Sequence, residues 1–420
     1  MKYNKVPLGD LITVLTDYHA NGAYQKLKEN VELLDDENYA LMVRTTNFES
    51  NDFSDSLKFI SEHAYNFLEK SKVYGGDLIM NKIANAGSIY LMPDLKRPVS
   101  LAMNLFLIRV DEQKANPVYV YIFLKVNEAY VKQFANGSVT KTITKDAVRN
   151  LEISLPPREV QNEIANQYNS LSKKIAVNSR INKTLEQMAQ AIFKSWFVDF
   201  DPVKAKINGE QPEGMDEATA LLFPEKLVAS ELGLIPDGWE VKPFSEWVKI
   251  TKGKNITKKT IVDGDVPVVA GGLKPAYFHN AHNVDGPAIT ISASGANAGY
   301  VNLYFENIWA SDCSYISQST TPLFFLQYVA LRYNQKKIFD MQTGAAQPHI
   351  YPRDFERLMI VVPNEELCRK LEEVFASFFR TVANNKQQNI VLAALRDTLL
   401  PKLLSGEIEL GQAQELAEVE

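Results

Sequence analysis

The hydrophobic pattern falls into two strand-rich blocks, each followed by a helical one. Between residues 3 and 155, short apolar runs alternate with polar turns. Tyr39-Ala-Leu-Met-Val-Arg, Asp77-Leu-Ile-Met-Asn-Lys, Leu105-Phe-Leu-Ile-Arg-Val and Leu151-Glu-Ile-Ser-Leu read as strands, with a helix near Val118 to Ala135 between the last two. Beyond Pro156 the period changes. Ile164, Tyr168, Leu171, Ile175, Asn178, Asn182, Leu185 and Ile192 follow alternating spacings of four and three, with a last step of seven. That is a heptad seam carrying two asparagines. The third block restores strands at Ala288-Ile-Thr-Ile-Ser and Leu358-Met-Ile-Val-Val, with Leu323 to Phe339 as its helix. The fourth repeats the seam as Leu371, Phe375, Phe378, Val382, Asn385, Asn389, Leu392 and Leu399.

The chain is therefore written twice. Pro156 to Phe197 matches Pro363 to Leu404 at a constant offset of 207 positions, and the register extends upstream to Gly137 with Gly344 and Ile143 with Ile350. Val6-Pro-Leu-Gly-Asp-Leu and Lys242-Pro-Phe-Ser-Glu-Trp open the two globular blocks alike, and the first is about 29 residues longer. A seam asparagine costs stability unless it meets a polar partner, so it fixes register. The expected architecture is α+β and pseudo-two-fold. Two similar domains, 1–155 and 237–362, are joined by helices 156–200 and 363–404, each about 60 Å long and packed as an antiparallel coiled coil with its asparagine layers near the middle. A linker, 201–236, follows the first helix, and an acidic tail, 405–420, closes the chain. Such symmetry suits a ligand with two-fold backbone symmetry, and duplex DNA is the commonest.

Composition narrows the reading. No run of about 18 apolar residues exists, and nothing near Met1 resembles a secretion signal. Cys313 and Cys368 form neither a metal-type pair nor a disulfide framework. A reduced, cytoplasmic protein is expected. Net charge is −6, but it is unevenly spread: −1 over residues 1–155, −4 over 156–240, +3 over 241–363 and −4 over 364–420. The acidic excess lies on the helical segments and tail, leaving the globular blocks neutral to basic, as DNA contact by those blocks alone requires.

Catalytic signals are weak. Asn116-Pro-Val-Tyr has the outline of an amino-methyltransferase motif, but Val replaces a proline and the segment opens an amphipathic helix. Pro236-Asp237 and Glu240-Val-Lys242 hold the letters of a nuclease metal site, with too few residues between them to bring both carboxylates onto one metal. His279 and His282 have no third ligand nearby in sequence, and no phosphate-binding loop is found. No catalytic residue, metal or cofactor is assigned.

The ordered set of features resembles the DNA-specificity subunit of type I restriction-modification systems. The residues that carry the resemblance are the two near-identical helices, Ser195-Trp-Phe-Val-Asp-Phe-Asp-Pro after the first, Phe223-Pro to Gly238-Trp-Glu before the second domain, and Leu403-Leu-Ser-Gly-Glu-Ile near the end. The resemblance implies two target-recognition domains, each reading half of a split site in double-stranded DNA. It also implies that the helices act as a spacer and dock two methyltransferase (modification) subunits. Restriction/translocase subunits complete the complex, and catalysis belongs to these partners. A stand-alone DNA-binding regulator is the alternative, disfavoured by two long helices with acidic faces.

Candidate DNA contacts follow from residue chemistry, since phosphates take Lys, Ser and Thr while base edges take Asn, Gln and Arg. In the second domain they are Lys252, Lys254, Asn255, Lys258 and Lys259 in the densest basic stretch, Ser292, Ser294 and Asn297 after a strand, and Gln342, Thr343, Gln347 and His349 before the last strand. In the first they are Arg44, Thr45 and Asn47; Asn81, Lys82 and Asn85; and Asn136, Ser138 and Lys141.

Overall fold

The computed structural model describes residues 3–137, 139–344 and 347–407. Ser138 and the tail beyond residue 407 lie outside the described residues. The chain divides into two compact units, residues 1–175 with 390 onward, and residues 176–389. No helix among the described residues is long and apolar enough to cross a membrane.

The first unit is built on a four-stranded antiparallel sheet in the order Ile12–Asp17, Leu105–Val110, Leu78–Asn81, Ile89–Leu91. A three-stranded sheet, Phe59–Ile60, Ala40–Val43, Val99–Leu101, includes one parallel pair. Asn4–Pro7 pairs with Glu152–Leu155 and joins the ends of the block. The all-apolar runs at 40–43 and 78–80 are buried on both faces, which is why they lack polar alternation. The helix Pro117–Val126 covers the larger sheet; Asn116 caps it by accepting from the N–H groups of Val118 and Tyr119, and Pro117 occupies the first turn.

The second unit repeats this plan. Its sheets run Thr251–Lys252, Cys313–Ser317, Ala288–Ser292, Val301–Tyr304 and Tyr277–His279, Val266–Val269, Trp309–Ala310, with Glu240–Pro243 paired to Met359–Val362. Even the opening turns correspond, for Leu8 N donates to Leu151 O and Phe244 N to Leu358 O. The covering helix Phe324–Tyr333 differs in one respect, as Leu323 supplies no side-chain cap. The cap comes from far away: the Glu372 carboxylate accepts from Phe325 N at 3.2 Å and Leu326 N at 2.8 Å.

That cap has a pH signature. Burial raises the Glu372 carboxyl from the ordinary 4.5 to about 6, against the two N–H donors that favour its charge. Between these values the folded chain holds the proton more tightly than the unfolded one. The resulting stabilisation is complete below 4.5 and is lost as pH rises through 6. Glu372→Gln keeps a carbonyl acceptor and removes the charge. It is expected to stabilise the protein by about 1 kcal/mol at pH 7 and to flatten the pH dependence across that window. Urea unfolding at pH 5 and pH 7 reads both, and a variant with the parent's pH slope would contradict the assignment.

The two seams form long helices, Arg158–Phe197 and Glu365–Ser405, which pack antiparallel. Within the second unit Asn178, 1% exposed, donates to Gln388 Oε1 at 2.7 Å and Asn389 Oδ1 at 2.9 Å, while Asn385 donates to Asn182 Oδ1 at 2.8 Å. The seam asparagines of one helix thus meet those of the other. Leu185 and Ile192 flank them, packed into a core that contains Phe375, Phe379 and Val382. Within the first unit Ile164 shares a core with Leu399 and Leu403, and the Arg396 guanidinium lies 5.8 Å from the Tyr168 ring.

The segment 201–236 is folded: helices Asp201–Ile207 and Glu217–Leu221 precede a hairpin of Leu227–Ser230 with Gly233–Pro236. Phe200, Val203, Phe223 and Ile235 join Phe193, Phe197 and Trp239 in the core of the second unit. Its proline, glycine and acid content marks turns, but the apolar residues between them are buried.

Candidate nucleic-acid interface

In each unit several of the candidate contacts lie on loops tied together at one end of the four-stranded sheet. In the first unit Ala84 N donates to Lys141 O and Ile143 N to Lys82 O, both at 3.1 Å, so the loop after Leu78–Asn81 is tied to the one before Thr144. In the second, Gly295 N donates to Pro348 O and Ile350 N to Ala293 O, both at 3.0 Å. The later loop closes on itself through paired backbone bonds, Asn136 with Thr142 in the first unit and Thr343 with His349 in the second. Glycine is required at the turn. Gly137 and Gly344 have φ of +132° and +95°, and a Cβ would lie 2.3 Å from Thr140 O and 2.6 Å from Gln347 O.

The structure thus brings Asn85, Asn136 and Lys141 into one cluster, and Ser294, Asn297, Thr343, Gln347 and His349 into another. The basic stretch joins the second cluster. Gly253 N donates to Cys313 O, Lys254 N to Ala310 O and Ile256 N to Ser311 Oγ. Lys254, Asn255, Lys258 and Lys259 are exposed, and the three lysines form no ion pair with described residues. Lys252 and Arg353 lie 5.8 and 5.7 Å from the Tyr351 ring, on which His349 stacks.

Several candidates are committed to the protein itself. Asn47 is 4% exposed; its amide accepts from Arg44 N and donates to Asp52 O, closing the first turn of the helix Thr45–Ser50. Thr45 begins that helix half-buried, and Arg44 is held by Ser56 O at 2.6 Å. Asn81 and Ser292 are buried at equivalent strand ends. Gln342 donates to Ala298 O at 2.6 Å, which ties its loop to the neighbouring one. These side chains help to build the loops. Lys82 pairs with Asp17 at 2.9 Å, and Lys145 approaches the same carboxylate at 3.4 Å. Burial works to raise the Asp17 pKa, but the two lysines prevail and hold it below the usual range. His279 bonds the backbone of Val262, and His282 pairs with Asp285. Asp237 pairs with Lys226, and Glu240 with Lys242.

Two features of this face carry little local signal, Asp17 and the turn at Gly271-Gly272-Leu273-Lys274. That turn lies against the second cluster through Ser292 Oγ, which donates to Gly271 O at 3.1 Å. The Gly-Gly pair beside an exposed lysine was the available signal.

Two strand frames that present backbone-tied polar loops, joined to a pair of long helices, are the frame of a DNA-recognition protein. The chain belongs to the type I restriction-modification DNA specificity domain family, whose profile matches residues 1–187 and 236–394. The interruption falls on the folded connection before the second domain. The chain is 28% identical over 409 residues to the type I restriction enzyme HindI specificity subunit of Haemophilus influenzae, covering 81% of this chain and 88% of the relative. It is 26% identical over 314 residues to the MjaIX specificity subunit of Methanocaldococcus jannaschii, covering 69% and 68%. The fold matches the crystal structure of a type I restriction-modification S subunit from M. genitalium with a TM-score of 0.56 at 16% identity, covering 96% of each chain. The protein is a non-catalytic specificity subunit that acts with DNA and other subunits.

Two kinds of contact are separable. Lys254→Ala is expected to weaken binding to all DNA sequences alike and to lower the salt slope by about one unit. Gln347→Ala is expected to cost about 1–3 kcal/mol on the proper site alone. Titrations of specific and random duplex at several salt concentrations distinguish them. Equal losses on both duplexes for Gln347→Ala would remove it as a base reader.

Proposed function

We propose that the chain reads a split, asymmetric site in double-stranded DNA, one half through each globular domain. It then directs two methyltransferase subunits, and restriction/translocase subunits with them, to that site in the cytoplasm. The observation that carries this reading is the repeated loop cluster. The same backbone bonds recur on the same strand frame, while the side chains they present differ: Asn136, Thr142 and Lys141 in one, Thr343, His349 and Pro348 in the other. Equal frames with unequal faces are what two different half-sites require. Lys254, Lys258 and Lys259 supply phosphate contacts, and Asn85, Asn136, Asn297 and Gln347 are the base-reading candidates. Catalysis and its cofactors reside in the partner subunits.

Exchanging residues 1–155 for the first domain of another family member tests the reading. Mapped modification sites are expected to change in one half-site and to keep the other. A change in both halves would show that the domains are not independent readers.

A further inference from the structure

Both units place one residue at the same point, directly before the second strand in the order of the four-stranded sheet. It is Asn104 ahead of Leu105–Val110 and Asp312 ahead of Cys313–Ser317. The equivalence is set by pairing. Asn81 lies opposite Leu105 and Ser292 opposite Cys313. Lys82 N donates to Asn104 O at 2.8 Å, and Ala293 N donates to Asp312 O at 3.2 Å. Each residue therefore sits at the end of the sheet where the loop cluster forms.

We propose that this shared position selects a base in each half-site, with Asn104 reading adenine and Asp312 reading cytosine. The inference rests on the DNA-reading function above and names side chains for it. Asn104 is exposed, holds a left-handed backbone with φ of 70°, and makes no side-chain hydrogen bond with described residues. Asparagine tolerates that conformation better than most residues, and such strained positions gather at binding sites. Its amide offers one donor and one acceptor, the complement of adenine N7 and N6.

Asp312 has the opposite character. Ser294 Oγ donates to its Oδ2 and orients the carboxylate. No lysine or arginine among the described residues pairs with it, although Lys252 and Lys254 flank Gly253, and Gly253 N bonds Cys313 O while Lys254 N bonds Ala310 O on either side of Asp312. A fixed, unpaired carboxylate on a phosphate-binding face is repelled by DNA unless a base amino group meets it. Cytosine presents N4–H₂ as a donor in the major groove. Adenine also presents a donor, but its neighbouring N7 acceptor repels a group that has no hydrogen to give.

The test uses the full chain, purified with the subunits that accompany it in its own cells, and selection from a pool of randomised duplex DNA. Asp312→Asn keeps the shape and an acceptor for Ser294. It is expected to lower the preference for cytosine at one position of the second half-site by about 5- to 150-fold, the discrimination of one base contact, and to raise adenine there. Asn104→Asp is expected to shift one position of the first half-site from adenine towards cytosine. Each variant leaves the other half-site unchanged. Enriched motifs identical to the parent's in both variants would overturn the proposal. So would an Asp312→Asn variant with the parent's melting temperature whose selectivity falls equally at every position. A parent that enriches no sequence at all would refute the DNA-reading function itself, and this inference with it.

Discussion

Inserting four residues after Ser179 in the first long helix alone is expected to destabilise the helical pair by about 1–3 kcal/mol, from one broken asparagine layer. The insertion point lies between two layers, Asn178 with Asn389 and Asn182 with Asn385. Four residues add about 6 Å of rise to one helix and none to its partner, so only one layer can form. The helical turn itself is nearly preserved, because four residues exceed one turn only slightly. A matching insertion of four residues after Lys386 lengthens the partner between the same two layers and is expected to restore stability. If the helices set the distance between half-sites, the doubly extended chain is expected to keep both half-sites and to lengthen the spacer by about two base pairs. Urea unfolding and mapped modification sites read the two effects. A stable single insertion would show that the asparagines do not fix the register, and an unchanged spacer in the double insertion would show that the helices are not the ruler.

Phe375→Ala is expected to cost about 3–5 kcal/mol. The side chain is fully buried in the core of the second unit, together with Leu371, Phe379 and Val382. Phe379 in turn stacks on Phe325 at 5.3 Å and meets Tyr328 edge-on, so a void at 375 loosens a connected aromatic layer. The matching residue in the first copy, Tyr168, is half-buried, meets Tyr121 edge-on and carries Arg396 over its ring. Tyr168→Ala is expected to cost less than half as much. Comparable losses at the two positions would mean that the two halves of the helical pair are anchored alike, despite the difference in burial.

The duplication, the antiparallel helices and the succession of strand-rich and helical blocks are legible in the amino-acid pattern alone. These are properties of period and offset. A seam of four and three repeated at 207 positions admits one antiparallel register in which Asn178 and Asn182 meet Asn389 and Asn385, because any slip buries an asparagine without a partner. The helices near 118–135 and 323–339 were equally legible, and both break once, at Asn127 and Asn334, where the helical assignment passes to a second short segment. Tertiary structure decided which polar residues face outward. Asn47, Asn81, Ser292 and Gln342 have the chemistry of DNA readers, but their amides and hydroxyl lie inside or bond neighbouring backbone, and no local pattern distinguishes a loop-building amide from a base-reading one. The folded state of residues 201–236 was hidden for a related reason. Their composition signals turns, and only the presence of Phe193, Phe197 and Trp239 gives Phe200, Phe223 and Ile235 a core to enter. The equivalence of Asn104 and Asp312 depends on strand pairing, because Asp312 lies 208 residues after Asn104, one position off the 207-residue offset that aligns the helices.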